Sequence, residues 1–233
     1  MDFHDPFAAS SHLAFAGFLL FAGAVLFKLT RGHPPSRRWA VGLFALSAVL
    51  LYLASGLFHG VTHAADGSYE LFRRFDLSGI FLLVAGSYLP LFAYLLNGKW
   101  RAVMTGILGG LAAAGVAAVW VVEAPKSATM VPLYAAVAAV GLVPLPIYWR
   151  VGGWRVVVWV FAAAGVYALG GVAEVLKWPT LVPGVIGPHE VLHVTDTLGT
   201  LAHLGLVVRL VRSQAVPPAT RRTASTNRPK AGE

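Results

Sequence analysis

Five residues carry most of the chemical potential of this chain: Ser55 and His59, Asp76, and the pair His189 and His193. Ser55 and His59 are four residues apart, as are His189 and His193. On an α-helix that spacing puts both side chains on one face. Three neutral imidazoles with a fourth position left to water form a catalytic zinc shell. Zinc lowers the pKa of its bound water toward ~7 and makes hydroxide available. A carboxylate such as Asp76 can orient that water and take its proton. A hydroxyl such as Ser55 can hydrogen-bond the water or a developing oxyanion. Asp196, Thr200 and His203 continue the face of His189 and His193 within an arc of roughly 80°. His203 lies ~15 Å along the helix from His193, too far to share an ion. It is expected to hydrogen-bond inside the protein, with Asp196 as its partner. The plain reading of this whole set is a buried polar network tying helices together.

His189-Glu190-Val191-Leu192-His193 also spells H-E-x-x-H, the signature in which two histidines bind zinc and the glutamate is a general base. The pattern is short, and no second motif of an intramembrane protease, such as Leu-Asp-Gly, accompanies it. Glu190 is therefore the weaker candidate for acid/base work, and Asp76 the stronger.

The elements that must position these residues are apolar. Of 233 residues, 57% are hydrophobic and 12% charged, about half the charged share of a soluble domain. No single aqueous core can hide that much apolar surface, and a bilayer is the simpler solvent. Apolar runs over 11–29, 39–58, 77–96, 102–122, 131–149, 154–174 and 190–211 predict helices. At 1.5 Å per residue, ~20 residues cross ~30 Å of hydrocarbon. The fold class is an all-α, seven-transmembrane helix bundle over 1–212, followed by a basic, disordered tail over 213–233. Connectivity brings the end of the second helix, Asp76 opening the third, and the start of the seventh to one face. Three histidines, a carboxylate and a hydroxyl thus converge at one depth.

Cysteine is absent, which excludes disulfides and thiolate metal sites. The net charge of +8 does not indicate nucleic acid, because the basic residues gather at helix ends and in the tail. Connections and tail on one side carry 14 Lys and Arg, against 4 on the other. That bias predicts a multi-pass protein of the inner (plasma) membrane, with its N-terminus and histidine face outside and its C-terminus cytoplasmic.

Several stretches together resemble the hemolysin III family. They are Ser55-Gly-Leu-Phe-His59, Arg74-Phe-Asp76-Leu-Ser-Gly-Ile80 and Ala85-Gly-Ser-Tyr-Leu-Pro90. Later come Lys177-Trp-Pro179, Pro183-Gly-Val-Ile-Gly187 and His189-Glu-Val-Leu-His193, with His203 ten residues on. That family is the bacterial branch of the progestin and adipoQ receptor group, in a superfamily that includes alkaline ceramidases. The resemblance implies a seven-helix fold with zinc held by His59, His189 and His193, a water linked to Asp76, and Ser55 close by. It also suggests hydrolysis of a lipid amide, with a membrane lipid as substrate or ligand. The chain departs from the pattern at Leu77, where a histidine commonly follows the aspartate, and at Leu89, where a threonine precedes the proline. Its charge bias also gives the ceramidase orientation rather than that of the adiponectin receptors. Two main readings stay open: a zinc-dependent hydrolase of a lipid amide or ester, and a receptor-like or membrane-homeostasis protein with a non-catalytic zinc site. Asp76 as a direct fourth ligand favours the second.

Overall fold

A computed structural model of the protein describes residues 5–60, 67–123, 125, 127–183 and 186–214. The described residues form seven helices and no strand: α1 (Pro6–Leu29), α2 (Pro35–Gly60), α3 (Ser68–Leu95), α4 (Gly98–Val121), α5 (Ser127–Gly141), α6 (Leu145–Leu176) and α7 (Pro188–Gln214). Six of them are long and apolar enough to cross a membrane; α5 is the shorter one. Of the tail expected over 213–233, residues 215–233 lie outside the described residues.

Local chemistry sets the helix ends. Asp5 caps α1 by accepting from the Ala8 N–H (3.0 Å), and Pro6 occupies the first turn, where its missing N–H costs nothing. Pro35 opens α2 and Pro188 opens α7 in the same way. In the connection after α6, Val182 and Ile186 form an antiparallel bridge.

Two boundaries differ from the sequence expectation. The third helix starts at Ser68, eight residues before Asp76. Its first turns carry Glu70, which pairs with Arg73 (2.7 Å) and Arg74 (2.9 Å) at helical spacing. Such pairs support a helix beyond the end of its apolar run. Arg73 and Arg74 also donate to the carbonyls of Pro125 and Val119, tying this start to the end of α4. Between the fifth and sixth helices the structure has an additional turn at Leu142–Pro144. The break expected over 150–153 is also present: Gly153 has non-helical φ 74° and ψ 176°, a conformation that a side chain would strain, and it kinks α6 between two helical segments.

The third helix is the centre of the bundle, packing on α2, α4, α5, α6 and α7. Its most apolar stretch is 72% buried, against 28% for α1 and α4. Gly86 permits its close approach to α2, because a Cβ there would meet Ser47 Oγ at 2.2 Å. Tyr134 donates to the Leu77 carbonyl (3.0 Å) and Tyr88 to the Ala138 carbonyl (2.8 Å), fastening α5 to α3. Outward-facing positions are apolar: Phe21 is 72% and Val121 84% exposed. Exposed tryptophans sit near helix ends (Trp39, Trp100, Trp154, Trp178), where amphipathic rings meet the membrane interface. The protein is a multi-pass membrane protein.

Candidate metal centre

His59 lies in the last turn of α2 and is 3% exposed; Ser55 is buried one turn earlier. The first two turns of α7 present His189 and His193 on one face. Glu190 stabilises that helix start. Its carboxylate accepts the Gly187 N–H at 2.7 Å, so one donor at the helix start is satisfied. Glu190 is thus occupied as a cap, which counts against a general-base role for it.

The three imidazoles converge. Ring centroids are 5.2 Å apart for His59 and His189, 4.6 Å for His59 and His193, and 4.5 Å for His189 and His193. One ligand nitrogen from each falls within 4.8 Å of the others, and no carboxylate among the described residues joins that group. The Nε2 atoms of His189 and His193 are 3.1 Å apart. An ion bound tetrahedrally at 2.0–2.1 Å by imidazoles holds neighbouring nitrogens ~3.3 Å apart, so the donor set fits a metal ion.

Asp76 lies two turns inside α3, not at its start. The helix-terminal dipole fades within one turn and does not act on it. Ser55 is within hydrogen-bonding reach of its carboxylate, and His189 is close enough to feel its charge. Asp196 lies deeper on α7, in the electrostatic field of Asp76 and His189. Asp76, Asp196 and Tyr167 are intermediate in exposure. One turn beyond Asp196 on α7, the fully buried Thr200 shares hydrogen bonds with Tyr52 and Tyr167, both 2.8 Å. His203 is farther still. Its Nε2–H donates to the Ser87 carbonyl on α3 (2.6 Å), so its hydrogen bond goes to the backbone of the central helix where Asp196 was expected.

Three residues near the centre escape a reading based on motifs. Asp5 at the start of α1 lies 3.8 Å from His59 Nδ1. Glu174, buried near the end of α6, lies 3.4 Å from His189 Nδ1. His12 on α1 is 3% exposed, with its ring 4.4 Å from that of His193 and edge-on to it. The His193 main chain is nearby, but neither His12 nitrogen makes a hydrogen bond of normal geometry among the described residues. A signal for two of them was present. His12 and Glu174 are isolated ionisable residues in apolar spans, and such residues are costly there.

A family model described as Haemolysin-III related matches residues 3–204, a range that takes in every residue named above for the centre and its polar neighbours. A protein of Bacillus subtilis (strain 168) named Hemolysin-3 homolog is 30% identical over 103 residues. The match covers 43% of this chain and 47% of that protein, so it spans about half the length of the relative.

Proposed function

The chain belongs to the haemolysin-III related family, and from that premise we propose that it is a zinc-dependent hydrolase of a lipid amide or ester. All seven helices cross the membrane in this reading, with the N-terminus and the histidine end outside the cytoplasm. The lipid enters sideways between helices.

The observation that carries the reading is the three-membered nitrogen group of His59, His189 and His193, with no carboxylate in it. Structural zinc sites are usually closed by four protein ligands, whereas catalytic ones keep a position open. A receptor-like role with a closed site is thereby disfavoured. Zinc, when bound, supplies a Lewis acid that makes water a usable nucleophile near neutral pH. The rest is the work of side chains. Asp76 stands beside the group, where its carboxylate can accept a proton and return it to a leaving amine or alcohol. Ser55 on α2 lies near that carboxylate and can help to orient it. Asp196 and the tyrosine hydroxyls offer polar neighbours to the amide or ester end of a lipid, and its chains stay in the bilayer.

Purified protein in nanodiscs should hold about one zinc per chain, and His189→Ala and His193→Ala should lose it to a mild chelator. Asp76→Asn should keep the zinc and lose ~10²–10⁴-fold in turnover of a short-chain ceramide. Glu190→Gln should keep both. Wild-type protein with full zinc that turns over no lipid amide or ester would refute the hydrolase. An inactive Glu190→Gln beside an active Asp76→Asn would move the general base to Glu190.

A further inference from the structure

Neither α1 nor α6 supplies a candidate ligand, yet each brings one carboxylate to the metal centre. The two are built alike. Asp5 spends one oxygen on its own helix, where Oδ1 accepts the Ala8 N–H at 3.0 Å, and turns Oδ2 toward His59 Nδ1 at 3.8 Å. The Asp5 N–H also donates to the His59 carbonyl (3.1 Å), so the start of α1 is pinned to the end of α2. Glu174 spends Oε1 on Lys177 Nζ, 2.6 Å away, and turns Oε2 toward His189 Nδ1 at 3.4 Å. In both cases an anchored carboxylate faces the Nδ1 of a candidate ligand, within hydrogen-bonding distance for Glu174 and just beyond it for Asp5. At His189 the other nitrogen, Nε2, faces His193 Nε2.

We propose that Asp5 and Glu174 are positioning residues that orient His59 and His189 with Nδ1 protonated, which leaves Nε2 to the metal. The inference rests on the three-histidine reading above. A ligating histidine that gives its second N–H to a carboxylate is held in one tautomer and one ring orientation, and it becomes a more basic ligand. Burial strengthens the case for Glu174. A carboxylate that is 4% exposed in an apolar helix is costly unless paired, and one salt bridge to an exposed lysine leaves its second oxygen to the histidine. His59 and His189 come from helices on opposite sides of the centre in sequence. Their orienting groups come from α1 and α6, so the centre depends on four helices rather than two.

The test is zinc affinity of the full chain in nanodiscs, measured by chelator competition, with the visible spectrum of the cobalt-loaded protein as a second readout. Glu174→Gln and Asp5→Asn keep size, and Asn still caps α1. Each should weaken zinc binding ~10–100-fold, keep one site per chain at saturating zinc, and shift the cobalt bands. Glu174→Asp should recover part of the loss. Glu190→Gln is the control. It removes an acid whose charge also reaches His189 but whose oxygen is committed to Gly187, and it should leave affinity and spectrum unchanged. The proposal is overturned if the Glu174 and Asp5 variants bind zinc as tightly as wild type. It is equally overturned if Glu190→Gln weakens binding as much as they do, because bulk charge would then explain the effect. Wild-type protein that takes up no zinc at all would remove the three-histidine reading itself, and this proposal with it.

Discussion

Replacing Thr200 with valine should loosen the contact of α7 with α2 and α6 without creating a cavity. Thr200 is fully buried on α7, and its hydroxyl links Tyr52 on α2 to Tyr167 on α6 at 2.8 Å each. Valine matches threonine in shape, so the packing term is small and the loss is polar. Hydrogen bonds inside membranes average ~0.6 kcal/mol and reach ~1.7 kcal/mol. Two such bonds set a range of roughly 1–3 kcal/mol. The tyrosines do not suffer equally. Tyr52 is fully buried with Thr197 as a further neighbour, whereas Tyr167 is intermediate in exposure. A loss of about 2 kcal/mol is therefore expected, which lowers the thermal midpoint by ~4–8 °C for a chain of this size. Thr200→Ser keeps the oxygen and should cost less. The assay is thermal or SDS unfolding in nanodiscs, run as a cycle with Tyr52→Phe. The coupling between Tyr52→Phe and Thr200→Val should be about 0.6–1.7 kcal/mol. Strict additivity, or a Thr200→Val midpoint equal to wild type, would refute the hydroxyl bridge as the clamp between α2 and α7.

Three further outcomes are expected. His12→Leu should raise the midpoint of the metal-free protein, because it removes a buried ring with no hydrogen bond of normal geometry, a burden of ~1–3 kcal/mol; a lower midpoint would reveal that the ring is satisfied. Single cysteines at Glu123 and Thr180 should react with an impermeant thiol reagent in intact cells, and one at Lys99 only after lysis; the reverse pattern would invert the topology. His33, between α1 and α2, shares a hydrogen bond with the Tyr94 hydroxyl through Nδ1 (2.8 Å). Burial first, then the nearby Arg37, hold its pKa below the ordinary 6.5. Its contribution to stability is thus present above 6.5 and is lost as pH falls toward the lowered folded value. His33→Asn should flatten that part of the midpoint–pH curve, and parallel curves would dismiss the contribution.

The histidine cluster was legible because helical spacing and chain connectivity are both sequence properties. Four-residue steps put His189 with His193 and Ser55 with His59, and the alternation of apolar runs brought them to one end. Element boundaries were less legible where charge and glycine contradict hydropathy. Glu70, Arg73 and Arg74 read as a loop by composition, yet their mutual pairing extends α3 past Asp76. Gly152-Gly153 reads as a break and Gly153 does interrupt α6, yet the turn at Leu142–Pro144 lies inside an unbroken apolar run, where hydropathy gives no sign of it. The orienting carboxylates were hidden for a different reason. Asp5 and Glu174 have no spacing relation to the residues they face, and only tertiary packing brings α1 and α6 to the centre.

The brevity of α5 bears on which lipids can meet this site. Its 15 residues span only ~22 Å, some 8 Å less than the hydrocarbon of a typical bilayer. If it is the fifth crossing, the membrane beside it must thin, or polar headgroups must sink to meet its ends. That defect is not placed at random. Tyr134 ties α5 to the Leu77 carbonyl, one residue from Asp76. Hydrophobic mismatch would therefore draw headgroups inward on the flank nearest the acid. Bilayer thickness would then act on this flank of the bundle: short-chain membranes should relieve the dip, and thick, sterol-stiffened ones should resist it.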